Sequence, residues 1–475
     1  MDNSTIAAIA TPGGRGGIGI IKISGSQAIS IAGSIFRPHD SSYACGHNHS
    51  PESNENDNGH FQSHHLNYGR IIDPENERVL DEVLVSVMKA PHTYTKEDVV
   101  EINAHGGAVA LQAILALVLR RGARLAEPGE FTKRAFLNGR IDLTQAEAVI
   151  DIVNARTEKS LQIATAQIDG QLRKQVESIR ERLIQFLAHA EAAIDFPEDV
   201  DDIFDTHKAA IEVDKEVIDP LKRLIRNYME AGVLRDGLKV AVVGKPNAGK
   251  SSLMNRLVQR DRAIVTSIPG TTRDVIEETL NIKGLPVIIS DTAGLHETDD
   301  PVETLGIEKT LEHVNGSDLV LFLIEAHRPL TDVDYQIYEK VKSKPLIIAI
   351  NKIDLVNQNS DAVLPEPWAK YEKVYTSALY GQGMDSLKEH IVKLTTGENP
   401  IDLDTIIVPN LRHKVTLERS LKAAEEMVVE MQNGTSTDLI AIHIQDAIDS
   451  LDEILGINLK VDVLDQIFRQ FCIGK

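Results

Sequence analysis

The chain has 475 residues, too many for a single hydrophobic core, and should fold into about three domains. Its formal net charge of -21 argues against a protein that holds nucleic acid by itself, because neutralising phosphates needs clustered lysine and arginine. The only cysteines are Cys45 and Cys472, no apolar run approaches the roughly 20 residues of a membrane span, and no signal-peptide pattern opens the chain. These features predict a soluble protein of the reducing cytoplasm.

The first segment, residues 1–140, alternates β-rich runs with one apolar helical pattern. The runs Ile18–Ile23 and Val83–Val87 are typical of strands, whereas Leu111–Leu119 has the composition of a helix. This alternation predicts an α/β domain.

A low-complexity stretch interrupts that domain between His39 and Leu66. It is rich in His, Asn, Ser and Glu and predicts an exposed insertion that buries little apolar surface. Its Cys45, His47 and His49 are possible metal ligands, but no second spaced pair accompanies them. A solvated loop is therefore the favoured interpretation.

Two segments, residues 141–236 and 399–475, carry apolar residues at helical spacing and predict long helices. The first segment offers as core positions Ile150, Val153, Leu161, Ile163, Ala164, Ile168, Leu172 and Val176. The second offers Leu417, Leu421, Ala424, Val428, Ile440, Ile444, Ile448, Leu451 and Leu455. The simplest arrangement is one helical domain interrupted by residues 237–398.

A phosphate-binding loop lies near the start of that interrupting segment. The apolar run Leu238–Val243 predicts a buried strand, Ser251–Leu257 predicts a helix, and Gly244–Ser251 between them has the G-x-x-x-x-G-K-S pattern. Backbone N–H groups of such a loop surround phosphates, while the lysine reaches the outer phosphates and the serine hydroxyl ligates Mg²⁺. The sequence therefore predicts nucleotide contacts at Asn247, Ala248, Gly249, Lys250, Ser251 and Ser252.

A second nucleotide element follows the strand-like run Pro286–Ser290. The Asp291 carboxylate would hold the hydration shell of Mg²⁺, and the Gly294 N–H would sense a γ-phosphate. Asp291 also fits a helix N-cap, but its distance of about 40 residues from the phosphate loop favours the nucleotide role. The predicted contacts are Asp291, Thr292, Ala293 and Gly294.

Guanine selection is predicted where the strand-like run Leu346–Ile350 ends. The N-K-x-D pattern is present here as Asn351, Lys352 and Asp354. The aspartate can accept from both N1 and the exocyclic amine of guanine, which adenine cannot reproduce. After the short strand Lys373–Thr376, a backbone contact to the guanine oxygen is predicted from Ser377, Ala378 and Leu379.

The loop between the phosphate loop and Asp291 should supply a second hydroxyl to Mg²⁺ when a γ-phosphate is present. Spacing alone does not choose between Thr271 and Thr272. Leu295 occupies the place where Ras-like proteins carry a water-orienting glutamine, and an alkyl chain cannot orient water. Another side chain must do so, and the nearby carboxylates are Glu297, Asp299, Asp300 and Glu303.

With these elements assembled, the chain resembles the MnmE (TrmE/ThdF) family of tRNA modification GTPases over essentially its whole length. The segments that carry the resemblance are Ala10–Ile20, Pro128–Thr132, Gln145–Ala148 and Cys472–Lys475. It implies a multidomain α/β plus all-α protein: an α/β folate-binding and dimerisation domain and a helical domain that a Ras-like P-loop GTPase domain interrupts. The expected boundaries are 1–140, 141–236, 237–398 and 399–475.

The resemblance also implies cofactors and partners. GTP would be hydrolysed to GDP and phosphate with K⁺ and Mg²⁺. A homodimer would join the FAD-dependent MnmG (GidA) subunit in a heterotetramer that modifies C5 of the wobble uridine of certain tRNAs. The one-carbon unit, which becomes an aminomethyl or carboxymethylaminomethyl group, would come from (6S)-5-formyl-tetrahydrofolate or 5,10-methylene-tetrahydrofolate. No membrane association is implied.

Site residues follow from the same resemblance. K⁺ would be held by Asn247, Thr266, Ile268 and Thr271, and Mg²⁺ by Ser251 and Thr272. The loop contacts to GTP would come from Thr266, Ser267, Ile268, Pro269, Gly270, Thr271 and Thr272. Glu303 would orient the attacking water, with Lys250 as the second catalytic group of hydrolysis. A cation beside the phosphates takes the electrostatic role of an arginine finger.

Folate contacts are implied at Lys22, Glu101, Arg140 and Lys475. Ordinary surface charges are the alternative for Lys22, Glu101 and Arg140. Where other members of the family carry arginine, this chain has Lys22, which exchanges a bidentate fork for a point charge. Where some relatives have arginine after Leu295, this chain has His296. The resemblance gives Cys472 a role in the modification chemistry, whereas a packed terminal thiol after Ile467, Phe468 and Phe471 is the alternative.

Two other functions compete with this interpretation: a purely regulatory GTPase switch, and a stand-alone folate-dependent one-carbon transferase. Cys472 and the folate-type residues count against the first, and the extent of sequence committed to nucleotide hydrolysis counts against the second. Because the chain is acidic, tRNA should be bound mainly by the partner. The local basic stretch here comprises Arg120, Arg121, Arg124, Lys133, Arg134 and Arg140.

Overall fold

The computed structural model describes residues 4–14, 16–39, 61–196, 205–261, 277–290, 314–356, 364–397, 406–458 and 461–475. They form two compact units, one of residues 1–150 with 455–475 and the other of residues 151–454. The C-terminal stretch therefore groups with the N-terminal segment. The four finer domain boundaries expected from the sequence stay a prediction.

The first unit is built on a seven-stranded sheet in the order β3-β4-β5-β6-β2-β1-β7. Neighbouring strands pair antiparallel except β1 and β7, which are parallel. The strands are β1 (Ile6–Ile9), β2 (Ile18–Ser24), β3 (Phe36–Pro38), β4 (His65–Asp73), β5 (Arg78–Met88), β6 (Val99–His105) and β7 (Arg124–Leu125). The predicted α/β character of this segment is confirmed.

Helices α1 (Ala28–Ile35) and α2 (Ala108–Arg120) pack on one face of this sheet. Alternate strand residues point toward them, so Ile21, Ile23 and Ile102 lose all solvent exposure. A smaller apolar cluster includes Leu143, Ala146, Ile467, Phe468 and Phe471. It draws on the helices α3 (Glu130–Leu137), α4 (Leu143–Asn154) and α14 (Val461–Phe468).

The second unit contains a six-stranded sheet in the order β13-β12-β11-β8-β10-β9. All pairings are parallel except that of β9 with β10. The strands are β8 (Leu238–Gly244), β9 (Glu277–Ile282), β10 (Leu285–Ser290), β11 (Leu319–Glu325), β12 (Leu346–Asn351) and β13 (Glu372–Tyr375). Every residue of β11 and β12 is buried, as expected for central parallel strands covered on both faces.

The helices of the second unit fall into two groups. Those beside the six-stranded sheet are α9 (Lys250–Asp261), α10 (Asp332–Val341) and α11 (Met384–Thr396). The others are α5 (Glu158–Ile168), α6 (Gln171–Asp195), α7 (Thr206–Val213), α8 (Asp219–Asp236), α12 (Leu411–Asn433) and α13 (Thr437–Leu455). A π-helical turn, Asp214–Ile218, joins α7 to α8.

The chain segments before and after the six-stranded sheet are joined by helix packing, hydrogen bonds and an ion pair. Helix α12 packs on α7 and α8, and the Lys222 and Glu425 side chains form a 2.9 Å ion pair. The Gln167 amide donates to the Val408 carbonyl at 2.6 Å, and the Asn227 amide donates to the Ile407 carbonyl at 3.0 Å. The helices before and after residues 237–398 thus belong to one packed structure.

Two details correct the sequence predictions. Leu161, expected in the helical core, is 42% exposed, because its face of α5 lies outside the packed interface that buries Ile163 and Ala164. The expected insertion 39–66 also ends too late: Phe61 is buried against Phe36, and β4 begins at His65. The possible metal ligands Cys45, His47 and His49 lie outside the described residues.

Candidate functional site

The phosphate loop runs from the end of β8 to the start of α9, and its backbone leaves no room for side chains at two glycines. A Cβ on Gly249, whose φ is +99°, would lie 2.3 Å from the Asn351 Nδ2 atom. A Cβ on Gly244 would lie 2.6 Å from the Leu323 carbonyl oxygen. The glycines therefore let the loop lie directly against the neighbouring strands, which fits a backbone cradle for phosphates.

Lys250 opens helix α9 and turns its ammonium back over the loop. Its Nζ donates to the carbonyl of Gly244 at 3.0 Å and to that of Lys245 at 3.1 Å. This places a cation at the N-terminus of a helix, where the helix dipole also favours negative charge. Ser251, the predicted hydroxyl ligand of Mg²⁺, is the next residue of the same helix. Asn247, with φ of +61°, is exposed at the tip.

Asn351 connects three parts of the site and is only 1% exposed. Its Nδ2 donates to the Ala248 carbonyl at 2.9 Å in the phosphate loop. Its Oδ1 accepts from the Ala378 N–H at 3.1 Å and the Thr376 hydroxyl at 3.2 Å. The structure therefore places Asn351 as a tie between the phosphate loop and the predicted guanine loops.

The Asp354 carboxylate lies at the surface beside those guanine loops. The Ser377 hydroxyl donates to its Oδ1 at 2.5 Å, and the Ile353 N–H donates to the Thr376 carbonyl at 3.3 Å. One carboxylate oxygen is thereby fixed while the group stays accessible to a base. This geometry suits a pair of hydrogen bonds to the N1 and amine edge of guanine.

Several predicted site residues lie outside the described residues. They are the loop Thr266, Ser267, Ile268, Pro269, Gly270, Thr271 and Thr272, the segment Asp291, Thr292, Ala293 and Gly294, and Glu303. Of the predicted cation ligands, the described part of the chain contains Asn247 and Ser251. Over the same described part, no group of three or more His, Cys, Asp or Glu side chains could hold a metal ion.

The first unit brings Lys22 and Glu101 together. They are register partners on β2 and β6, and Lys22 Nζ lies 3.6 Å from Glu101 Oε1. The same Nζ lies 5.4 Å from the Tyr94 ring centroid and 5.5 Å from that of Phe131. Arg140 covers the Tyr94 ring at 4.6 Å. Aromatic faces flanked by cations suit a flat heterocycle with a carboxylate tail.

The C-terminal tail ends beside this cluster. The Lys475 carbonyl accepts from the Phe131 N–H at 3.2 Å, and the Cys472 carbonyl accepts from the Gly129 N–H at 3.3 Å. Burial lowers the pKa of the Lys475 ammonium below its ordinary value; Cys472 opposes this shift and Lys22 adds to it. The Cys472 thiol is exposed, so the alternative of a packed terminal thiol is wrong.

The basic stretch is mostly neutralised by carboxylates of the same unit. Arg120 pairs with Asp73 at 2.8 Å, Arg124 with Glu130 at 2.6 Å, and Lys133 with Asp465 at 2.6 Å. Arg121 and Arg134 also have partners, Glu75 at 4.0 Å and Glu97 at 3.1 Å. Little unpaired positive charge is left in this stretch for nucleic-acid phosphates.

Three residues that shape these sites were not predicted from the sequence. Tyr94 contacts both Lys22 and Arg140 through its ring without belonging to any motif. Arg256 of α9 donates to the Leu379 carbonyl at 2.5 Å and thereby holds the second guanine loop. Glu325 pairs with Lys245 and Lys352. The sequence does contain a signal for Glu325, because this carboxylate ends an otherwise apolar strand.

Over the described residues, no helix is both long enough and apolar enough to cross a bilayer.

Comparisons with known proteins cover the whole chain. The family profile described as "MnmE helical domain" matches residues 143–472, and that described as "GTP-binding protein TrmE N-terminus" matches residues 5–140. A curated relative named tRNA modification GTPase MnmE, from Desulfotalea psychrophila, is 45% identical over 100% of this chain and 99% of its own length. The protein of that name from Carboxydothermus hydrogenoformans is 44% identical over 100% of both chains.

Solved structures match a smaller part of the chain. A crystal structure of an Era variant from Aquifex aeolicus bound to GDP and aluminium fluoride is 33% identical over 39% of this chain and 66% of its own. The TM-score is 0.27.

Proposed function

The chain belongs to the MnmE family of tRNA modification GTPases, and on that premise we propose that its GTP hydrolysis depends on K⁺ and drives modification of the wobble uridine. With an FAD-dependent partner of the MnmG type, the chain would build an aminomethyl or carboxymethylaminomethyl group at C5 of that base. A tetrahydrofolate bound to the first unit would supply the carbon, and the work would take place in the cytoplasm. The joint presence of a nucleotide site and an aromatic, cationic cluster beside Cys472 carries this proposal.

Hydrolysis is assigned to groups on several loops. Lys250 would neutralise charge on the outer phosphates, and Ser251 and Thr272 would hold Mg²⁺. Asn247 would help to hold a K⁺ ion, which would supply positive charge beside the phosphates as an arginine finger does in other GTPases. Glu303 orients the attacking water, since Leu295 cannot. In a homodimer, GTP and K⁺ would draw two nucleotide domains together.

The K⁺ proposal predicts a cation-selective rate. Wild-type protein should hydrolyse GTP at least about tenfold faster in KCl than in NaCl, because a cation in the finger position lowers the barrier by electrostatic stabilisation. In Asn247→Ala the ratio of the two rates should fall close to one, since the exposed amide oxygen is a K⁺ ligand. Phosphate release at equal ionic strength measures both rates.

Asn255→Ala is the matched control, because Asn255 is an exposed asparagine on α9 outside the phosphate loop. It should keep the wild-type ratio. Equal wild-type turnover in the two salts, or K⁺ stimulation that persists in Asn247→Ala, would count against cation-assisted hydrolysis.

The folate proposal rests on Lys22, Glu101, Arg140 and Lys475. Lys22 and Arg140 lie over the Tyr94 ring, Glu101 pairs with Lys22, and the Lys475 carbonyl accepts from the Phe131 N–H. Lys22→Ala should weaken binding of a tetrahydrofolate by about tenfold or more, because it removes a cation that is only partly exposed and lies close to two aromatic rings. Lys22→Arg should retain most of the affinity, since it preserves the charge. Titration calorimetry with the reduced folate gives the dissociation constants.

Lys89→Ala removes an exposed lysine of the same unit and should leave folate affinity unchanged. If Lys22→Ala and Lys89→Ala bind the folate equally well, Lys22 is an ordinary surface charge and the assigned site is wrong.

Two observations support tRNA binding mainly through the partner. The chain is strongly acidic, and the cations of its basic stretch are largely paired with carboxylates. The isolated chain should therefore bind tRNA weakly and lose that binding steeply as salt is added.

The exposed thiol of Cys472 is available to the modification chemistry at the end of the docked tail.

A further inference from the structure

The strand order places one strand between the two nucleotide loops. In the six-stranded sheet, β11 lies between β8, which leads into the phosphate loop, and β12, which leads into the Asn351–Asp354 loop. Leu323 is in register with Gly244, and Glu325 is in register with Asn351. The last residue of β11 therefore lies at the carboxyl edge of the sheet, between both loops.

That last residue is Glu325, whose side chain is 1% exposed. Its Oε2 lies 3.4 Å from the Nζ of Lys245 in the phosphate loop, and its Oε1 pairs with the Nζ of Lys352 in the guanine loop. Arg328 lies farther away, at 3.8 Å, and is mostly exposed. One buried carboxylate thus contacts an ammonium from each nucleotide loop.

A second buried carboxylate fixes the phosphate-loop partner. Asp334 on α10 is fully buried, and its Oδ2 accepts from Lys245 at 3.5 Å and from the Thr331 N–H at 2.9 Å. Lys245 therefore lies between two anions that do not belong to its own loop. Burying a carboxylate without a partner is costly, so the two buried carboxylates hold Lys245 and Lys352 in these positions.

We propose that Glu325 is a positioning residue for GTP and GDP, which holds the phosphate loop and the guanine loop at a fixed separation through Lys245 and Lys352. A guanine nucleotide must contact both loops at once. If the loops move more freely relative to each other, more conformational entropy is lost on binding and the affinity falls. The role goes beyond the cation, folate and tRNA chemistry proposed above and needs only the GTPase activity of the family.

The sign of the effect separates this role from simple electrostatics. Glu325 carries the same charge as the nucleotide phosphates. If it acted only through its field, neutralising it would strengthen nucleotide binding. If it positions the loops, neutralising it weakens binding. A purely structural role would lower the melting temperature of the nucleotide-free protein and leave the affinity of the folded molecules unchanged.

The test compares E325Q with wild type in the full-length chain, using GDP and GTP as ligands. We expect the dissociation constant for GDP and the KM for GTP each to rise about tenfold, with kcat at saturating GTP changed by less than about twofold. The matched control is E389Q, because Glu389 on α11 also pairs with a lysine, Lys283 at 2.8 Å, yet is 64% exposed. E389Q should bind both nucleotides as wild type does.

Glu325→Asp covers the case in which E325Q does not fold. The shorter side chain keeps the charge but cannot reach both lysines at their present separation, so GDP affinity should fall about threefold. Thermal unfolding without nucleotide confirms that each variant is folded. Unchanged or tighter GDP binding by a folded E325Q or Glu325→Asp protein would overturn the proposal.

Discussion

Replacing Asp354 with asparagine is expected to raise the KM for GTP on the order of a thousandfold, because losing a charged, paired hydrogen bond to the base costs about 2–5 kcal/mol. The Ser377 hydroxyl fixes one oxygen of this carboxylate at 2.5 Å, so the group has a defined orientation toward the base. An asparagine amide presents a donor where the guanine amine also presents one. Xanthosine triphosphate, which has an oxygen there, should become the better substrate.

Steady-state hydrolysis of GTP, xanthosine triphosphate and ATP measures this switch. Asp385→Asn is the control, because Asp385 lies in the same unit with a side chain that is 83% exposed. It should leave all three rates unchanged. If Asp354→Asn still prefers GTP, the loop after β12 does not select the base.

Removing the phosphate-loop lysine should have a comparable effect on the rate itself. Lys250→Ala is expected to lower kcat for GTP by about a hundredfold to a thousandfold, since one preorganised charge at the developing anion is worth about that much. Its ammonium already lies over the loop, 3.0 Å from the Gly244 carbonyl. Single-turnover phosphate release is the measurement. Lys340→Ala, an exposed lysine on α10, should hydrolyse GTP at the wild-type rate.

The local parts of the nucleotide site were predictable from the sequence. The apolar runs before Gly244 and before Asn351 form β8 and β12, because central parallel strands are buried on both faces and need no alternation. The G-x-x-x-x-G-K-S pattern places its glycines where a Cβ would clash. Motif, strand and loop are all encoded within a few neighbouring residues, so one sequence suffices to find them.

Long-range features were not predictable in the same way. Phe61 follows a polar, low-complexity run, and only its packing on Phe36 shows that the sheet resumes there. Leu161 obeys helical periodicity, yet periodicity cannot say which side of a helix meets a partner. Glu325 gains its importance from strands that are adjacent in the sheet and distant in the chain.

The residues predicted to bind folate were only partly predictable. The family resemblance named Lys22, Glu101 and Arg140, but it did not show that a single ring, Tyr94, lies against both cations. It also left open whether Cys472 is packed. The tail position of Lys475 beside Phe131 and the exposure of the Cys472 thiol required the three-dimensional arrangement.

Nucleoside analysis of tRNA from cells lacking this chain tests most directly whether its GTP hydrolysis drives wobble-uridine modification. Wild-type protein and Lys340→Ala should restore the C5-modified uridine, whereas Lys250→Ala, expressed at an equal level, should leave the base unmodified. Modified wobble uridine that persists in the deletion strain, or that Lys250→Ala restores, would contradict the proposed function.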